Sequence, residues 1–167
     1  MFNECLVYAY MNPEEKYAIV ADIESNSNVV TSMMGTENIT LSTPVYNPDQ
    51  QFIFTNLYPD HPYLFAILSV INTPYPDRVL PFSAFTAQDN YTAVRLALGP
   101  YRSTINIIGA RQIFYIVKLN KYPDRYLIIN QNSGKAIQAN QSQSQLTLEI
   151  PNQDDPRQRF RFMAIRP

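Results

Sequence analysis

Tryptophan is absent from this chain, cysteine and histidine occur once each, and there are only four glycines. A lone cysteine, Cys5, excludes an internal disulfide, and it leads us to expect either a reducing compartment or indifference to redox state. One histidine, His61 between Asp60 and Pro62, leaves no partner set for a metal centre and no local signature that would make Cys5 a nucleophile. With so little glycine, turn formation falls on proline, asparagine and aspartate. Charge is also scarce: 13 basic and 14 acidic residues give a net charge of −1. That balance provides no electrostatic footprint for nucleic acid or an anionic membrane. No apolar run approaches the length of a membrane span, and the first residues carry no basic segment followed by an apolar stretch. The expected location is therefore cytoplasmic, or outside the cell by a route without a classical signal peptide.

What the chain has in quantity is aromatic and turn-forming residues: twelve Tyr, nine Phe and thirteen Pro among plentiful Val, Ile and Thr. That mixture suits many short strands joined by turns. A length of 167 residues fits a single domain with its own core.

A repeat organises the chain. Asn47-Pro48-Asp49-Gln50-Gln51-Phe52-Ile53-Phe54 and Asp155-Pro156-Arg157-Gln158-Arg159-Phe160-Arg161-Phe162 share the pattern Asx-Pro-x-Gln-x-Phe-x-aromatic. Gly109-Ala110-Arg111-Gln112-Ile113-Phe114 is a looser copy without the proline. Three copies predict three units of unequal length, spanning about residues 1–58, 59–121 and 122–167 of one domain. A second repeated element, Tyr58-Pro59-Asp60 and Tyr122-Pro123-Asp124, reads as one turn used at two unit junctions.

Strand patterning supports four strands per unit. In the first unit the candidates are residues 5–10, 17–21, 38–42 and 52–54; in the second, 64–70, 78–85, 92–98 and 112–117, with residues 99–108 inserted. In the third they are 126–129, 135–139, 146–150 and 160–163. No window carries a sustained helical stripe. Short strands repeated in this way leave edges that closure into a barrel removes.

The third unit carries a family resemblance. Tyr126-Leu127-Ile128-Ile129-Asn130-Gln131-Asn132-Ser133-Gly134-Lys135-Ala136-Ile137 resembles the repeat opening of ricin-B-like β-trefoil lectins, and Gln-x-Phe is similar to their Gln-x-Trp signature. The resemblance implies an all-β trefoil with pseudo-threefold symmetry: a six-stranded barrel capped by three hairpins, with Phe52, Phe114 and Phe160 meeting in the core. It further implies a non-enzymatic carbohydrate-binding protein, with glycans or glycoproteins as partners, no cofactor, and a role in defence against foreign glycans.

In such lectins an Asp after the Gly-Lys stretch, a stacking aromatic and an Asn-Gln pair hold the sugar. The match here is partial. Gln138 stands at the position of the Asp, while Asp49, Arg111 and Arg157 replace the Asn of the pair. The expected contacts in the first unit are Asp22, Asn47, Asp49 and Gln50 with Tyr46 as the ring; in the third they are Gln138, Asn140, Asn152, Asp155 and Gln158. The glutamines have a competing role as bridges between turns.

Catalysis has little support, since Glu14-Glu15 and Asp154-Asp155 are adjacent carboxylates, whereas glycoside hydrolysis needs two facing each other across a cleft. Two other readings share the fold. One is a protease inhibitor presenting a proline-stiffened loop, residues 72–78 or 99–103, with Arg78, Tyr101 or Arg102 entering a trypsin-like pocket. The other is a protein-interaction module, for example the targeting part of a toxin system. Exposed tyrosines would also suit a homodimer interface.

Overall fold

The computed structural model describes residues 7–32, 38–56, 58, 60–70, 83–90, 93–100, 111–140 and 145–166. Its thirteen strands are β1 (Val7–Tyr8), β2 (Lys16–Ala21), β3 (Val29–Ser32), β4 (Ile39–Ser42), β5 (Phe52–Asn56), β6 (Leu64–Ser69), β7 (Ser83–Asn90), β8 (Ala93–Pro100), β9 (Phe114–Lys118), β10 (Tyr126–Asn130), β11 (Ala136–Asn140), β12 (Gln145–Glu149) and β13 (Phe160–Ile165). Two short 3-10 turns, Pro48–Gln50 and Pro156–Gln158, precede β5 and β13.

Six of the strands close a ring. In order, β2 pairs with β5, β5 with β6, β6 with β9, β9 with β10, β10 with β13, and β13 returns to β2, all antiparallel. The remaining strands form three hairpins, β3–β4, β7–β8 and β11–β12. The hairpins meet one another through β12, which pairs with both β4 and β8.

The threefold relation is visible in the register. Tyr17 opposes Phe52, Phe65 opposes Phe114, and Tyr126 opposes Phe160, so each unit pairs an aromatic of its opening strand with its signature phenylalanine. Phe52, Phe114 and Phe160 have no exposed surface and share one hydrophobic cluster. Phe85, on the second hairpin, sits edge-on to Phe52 at 5.2 Å and to Phe114 at 6.5 Å. A second set gathers around Phe54, which meets Tyr17 at 5.6 Å, Phe65 at 6.1 Å and Phe162 at 5.3 Å. Edge-to-face contacts of this kind place positive ring edges on negative faces, beyond the gain from burial alone.

Asparagine and proline do the work that glycine does elsewhere. Asn56 Oδ1 accepts from Tyr58 N, while its Nδ2 donates to the carbonyls of His61 and Leu64. Asn130 does the same for Ser133 N and the carbonyls of Arg111 and Ile113. The unit junctions use one turn: Tyr58 O accepts from His61 N at 2.9 Å and Tyr122 O from Arg125 N at 3.1 Å. Asn12 O accepts from Glu15 N at 3.2 Å in the same i to i+3 pattern, so Asn12-Pro13-Glu14-Glu15 opens the first unit as its counterparts open the other two.

That turn corrects the strand reading of the first unit. Residues 5–10 are the expected first strand; of these, β1 at Val7–Tyr8 pairs, among the described residues, with β9, outside the closed ring. The first unit opens with β2, and its second strand is β3, Val29-Val30-Thr31-Ser32, which the sequence reading passed over. In the second unit the expected strand at 78–85 lies partly outside the described residues; its last residues fall in β7, Ser83–Asn90. No helix among the described residues is long and apolar enough to cross a membrane.

Candidate functional site

The signature glutamines are interior groups. Gln50, Gln112 and Gln158 are each at most 2% exposed. Each Nε2 donates to the second strand of its own unit: Gln50 to Thr31 Oγ1 at 3.2 Å, Gln112 to Thr86 Oγ1 at 3.0 Å, Gln158 to Gln138 Oε1 at 3.0 Å. These contacts identify Thr31, Thr86 and Gln138 as equivalent positions. The resemblance to ricin-B-like lectins implies an Asp at the position of Gln138, and none of the three units has a carboxylate there.

Asp22, expected as a sugar contact of the first unit, lies away from Thr31 and is engaged in ion pairs. It closes the barrel: Arg159 Nε donates to Asp22 Oδ2 at 2.9 Å, Arg125 Nε lies 3.3 Å from Oδ1, and Asp22 N donates to Arg159 O. The Arg159 guanidinium in turn stacks 4.0 Å above the Tyr122 ring, whose hydroxyl donates to Asp154 Oδ1. This chain of contacts ties the third unit to the first.

In the first unit Gln50 organises the loop before β5. Its Oε1 accepts from Val45 N at 2.9 Å and Tyr46 N at 2.8 Å, and its Nε2 donates to Thr43 O at 2.9 Å. Gln51 Nε2 donates to Tyr46 O at 2.9 Å. Those bonds hold Tyr46 at φ 54°, a left-handed conformation that is sparsely populated outside glycine and costs of order 1 kcal/mol. The Tyr46 side chain is exposed, as is Asn47, whose side chain makes no capping bond to the turn that follows. Asp49 is half-buried; its Oδ1 has no hydrogen-bond partner among the described residues, and its main-chain oxygen accepts from Ser32 Oγ at 3.0 Å.

The third unit is more committed internally. Gln138, 7% exposed, donates to Asn140 Oδ1, and Asn140 Nδ2 donates to Thr147 Oγ1. Gln158 bridges Asn152 N and Ile150 O, and Asn152 Oδ1 accepts from Asp154 N. Asp155 caps the Pro156–Gln158 turn by accepting from Arg157 N at 2.9 Å and also chelates the Arg157 guanidinium, with Nη2 to Oδ2 at 2.7 Å. Hydrogen bonding from Arg157 holds the Asp155 carboxyl below its ordinary range.

Gln50 and Gln158 thus bridge turns, while Gln138 on β11 bonds to the side chains of Gln158 and Asn140; all three are buried, which leaves them little surface for a sugar. Arg78, Tyr101 and Arg102 lie outside the described residues, as does Cys5. His61 is an exposed turn residue whose Nδ1 lies 3.2 Å from the Tyr63 hydroxyl. Asp154 is engaged by Lys121 and Tyr122 while Asp155 is engaged by Arg157, so the adjacent carboxylates do not face each other across a cleft. Among the described residues no group of three or more His, Cys, Asp or Glu could hold a metal ion.

No protein-family model matches the chain, and no curated protein sequence matches it. Solved structures do. The β-trefoil BEL, in an apo crystal form, superposes with a TM-score of 0.72 at 14% identity, covering 95% of this chain and 100% of that one. The chain is a β-trefoil. A ricin-B-like lectin from Macrolepiota procera, in complex with lactose, matches this trefoil with a TM-score of 0.64 at 10% identity over 92% of this chain and 98% of its own. An endo-β-galactosidase from Clostridium perfringens matches with a TM-score of 0.67 at 8% identity, and there the aligned part is only 33% of the enzyme.

Proposed function

We propose that this β-trefoil is a non-enzymatic carbohydrate-binding protein whose platform is the loop from Thr43 to Asp49 in the first unit. The observation that carries this reading is Tyr46: an exposed ring on a backbone held at φ 54° by the buried Gln50. A left-handed tyrosine is a conformation the fold sustains against its own preference, and such positions concentrate at binding sites. Fixing the ring before the ligand arrives lowers the ordering cost of binding. The apolar face of a pyranose rests on such a ring. Its hydroxyls then meet the Asn47 carboxamide, which both donates and accepts, and the Asp49 carboxylate, which accepts.

Within this reading Gln50 is a positioning residue. The fold shared with a lactose-bound lectin supports the ligand class. The partners are glycans or glycoproteins.

A glycan array tests it with the wild-type chain, Tyr46→Ala and Asp49→Ala. The expected result is saturable wild-type binding to a related set of glycans, lost in Tyr46→Ala and weakened about tenfold in Asp49→Ala, the equivalent of one charged hydrogen bond. A blank array with folded wild-type protein, or binding that both variants retain in full, overturns the assignment.

A further inference from the structure

The geometry points to a second site, for an acidic saccharide, in the polar cleft where β13 crosses β2. This goes beyond the loop platform and stands or falls separately from it. The cleft has a volume of about 180 Å³ and is lined by Val20, Ala21, Asp22, Ile23, Asn28, Arg125 and Arg161. Arg161 opposes Val20 in the β13–β2 register and follows the buried Phe160, so strand alternation turns it outward.

Two guanidinium groups line this cleft against a single carboxylate. Asp22 already serves Arg125 and Arg159, while Arg161 has no ion-pair partner among the described residues. The local balance is therefore positive, and the free guanidinium is a planar, bidentate donor suited to a carboxylate.

Asn28 supplies the second recognition element. Its carboxamide oxygen is buried without a hydrogen-bond partner among the described residues, and Asn28 lines the cleft. An anion alone offers no donor for that oxygen; a sugar acid offers a carboxylate to Arg161 and hydroxyls to Asn28. The adjoining cleft, about 530 Å³ and lined by Asp22, Ile23, Glu24, Pro156, Arg157 and Arg159, is a poorer anion site. There Glu24 adds negative charge and Arg157 is already held by Asp155.

The test is an NMR titration of the full chain, following arginine side-chain and backbone signals, with glucuronate, glucose and sulfate as probes. Glucuronate should bind at least tenfold more tightly than glucose, shift Arg161 and Asn28, weaken as salt rises, and outcompete sulfate. Arg161→Ala should erase the preference for glucuronate over glucose, whereas Tyr46→Ala should leave glucuronate binding unchanged. Equal affinity for glucuronate and glucose, or an unaltered preference in Arg161→Ala, overturns the site. Sulfate binding as tightly as glucuronate reduces it to a bare anion site and overturns the saccharide assignment. Loss of glucuronate binding in Tyr46→Ala merges it with the loop platform and overturns its independence.

Discussion

Gln50 and Tyr46 form a buried support and an exposed load. The glutamine carbonyl oxygen accepts from the Tyr46 amide at 2.8 Å, and its amide nitrogen reaches across to Thr31 on the neighbouring hairpin at 3.2 Å. A residue at 1% exposure thereby fixes the backbone of a loop whose aromatic ring faces solvent. The two members of this pair respond differently to substitution, which separates structure from binding.

Gln50→Ala leaves the Val45 and Tyr46 amides and the Thr43 carbonyl without their partner. The expected loss is about 2–4 kcal/mol of unfolding free energy, since unpaired polar groups carry their full desolvation penalty. Tyr46→Gly is the opposite case. Glycine accepts φ 54° without strain, so thermal stability should stay level or rise slightly while glycan binding disappears. Chemical denaturation of both variants beside their binding curves checks the pair; a large stability loss in Tyr46→Gly would contradict it.

Phe52 tests the packing of the core. It is fully buried and meets the Phe85 ring at 5.2 Å, so the space a tryptophan would need is already filled. Phe52→Trp should destabilise by about 1–3 kcal/mol through overpacking. Phe52→Trp together with Phe85→Leu should recover part of that loss, measured as a coupling in a double-mutant cycle.

The three-unit organisation was legible because Gln-x-Phe marks a local structure that recurs: a buried glutamine followed by a strand beginning with a core phenylalanine. The third unit read most clearly, since Tyr126–Asn130, Ala136–Asn140 and Phe160–Ile165 are each clean runs bounded by turn residues. The first unit was displaced by one strand. Val7 and Tyr8 have strand propensity, yet they pair outside the ring, while Val29–Ser32 is too short to show a period of its own. The ion-pairing role of Asp22 was not legible for a related reason. Carboxylates near a strand end look alike in sequence, and only the bond from Gln50 to Thr31 shows which position matches Gln138. The missed signal was Asn12-Pro13-Glu14, a third copy of the junction turn with its tyrosine replaced.

Asp22 makes a prediction about closure. Its carboxylate joins Arg125 and Arg159 across the seam between the last strand and the first, and Arg159 is only 14% exposed. Asp22→Asn preserves shape but removes the charge, leaving the Arg159 guanidinium without its counter-ion. The expected cost is about 1–3 kcal/mol. Hydrogen exchange should report it first at the β13–β2 pairing, and an effect confined to β7 and β8 would argue against the seam.

Asp155 sets an acid limit. Its carboxyl is held below the ordinary value of 3.8 chiefly by hydrogen bonding from the Arg157 side chain. A depressed folded-state pKa means that the unfolded chain takes up the proton first as pH falls. The stabilisation is therefore fully present above about pH 5 and declines below about pH 4, as pH passes through the unfolded and then the folded value. Asp155→Asn keeps an oxygen able to cap Arg157 N but cannot titrate, so its stability curve should be flatter than that of the wild type between about pH 5 and 2. Asp155→Ala removes cap and charge together and should cost about 1 kcal/mol even at neutral pH. Denaturant midpoints of the three proteins across that range distinguish the two contributions: equal acid slopes in wild type and Asp155→Asn would place the acid sensitivity at other carboxylates, such as Asp154 on Lys121.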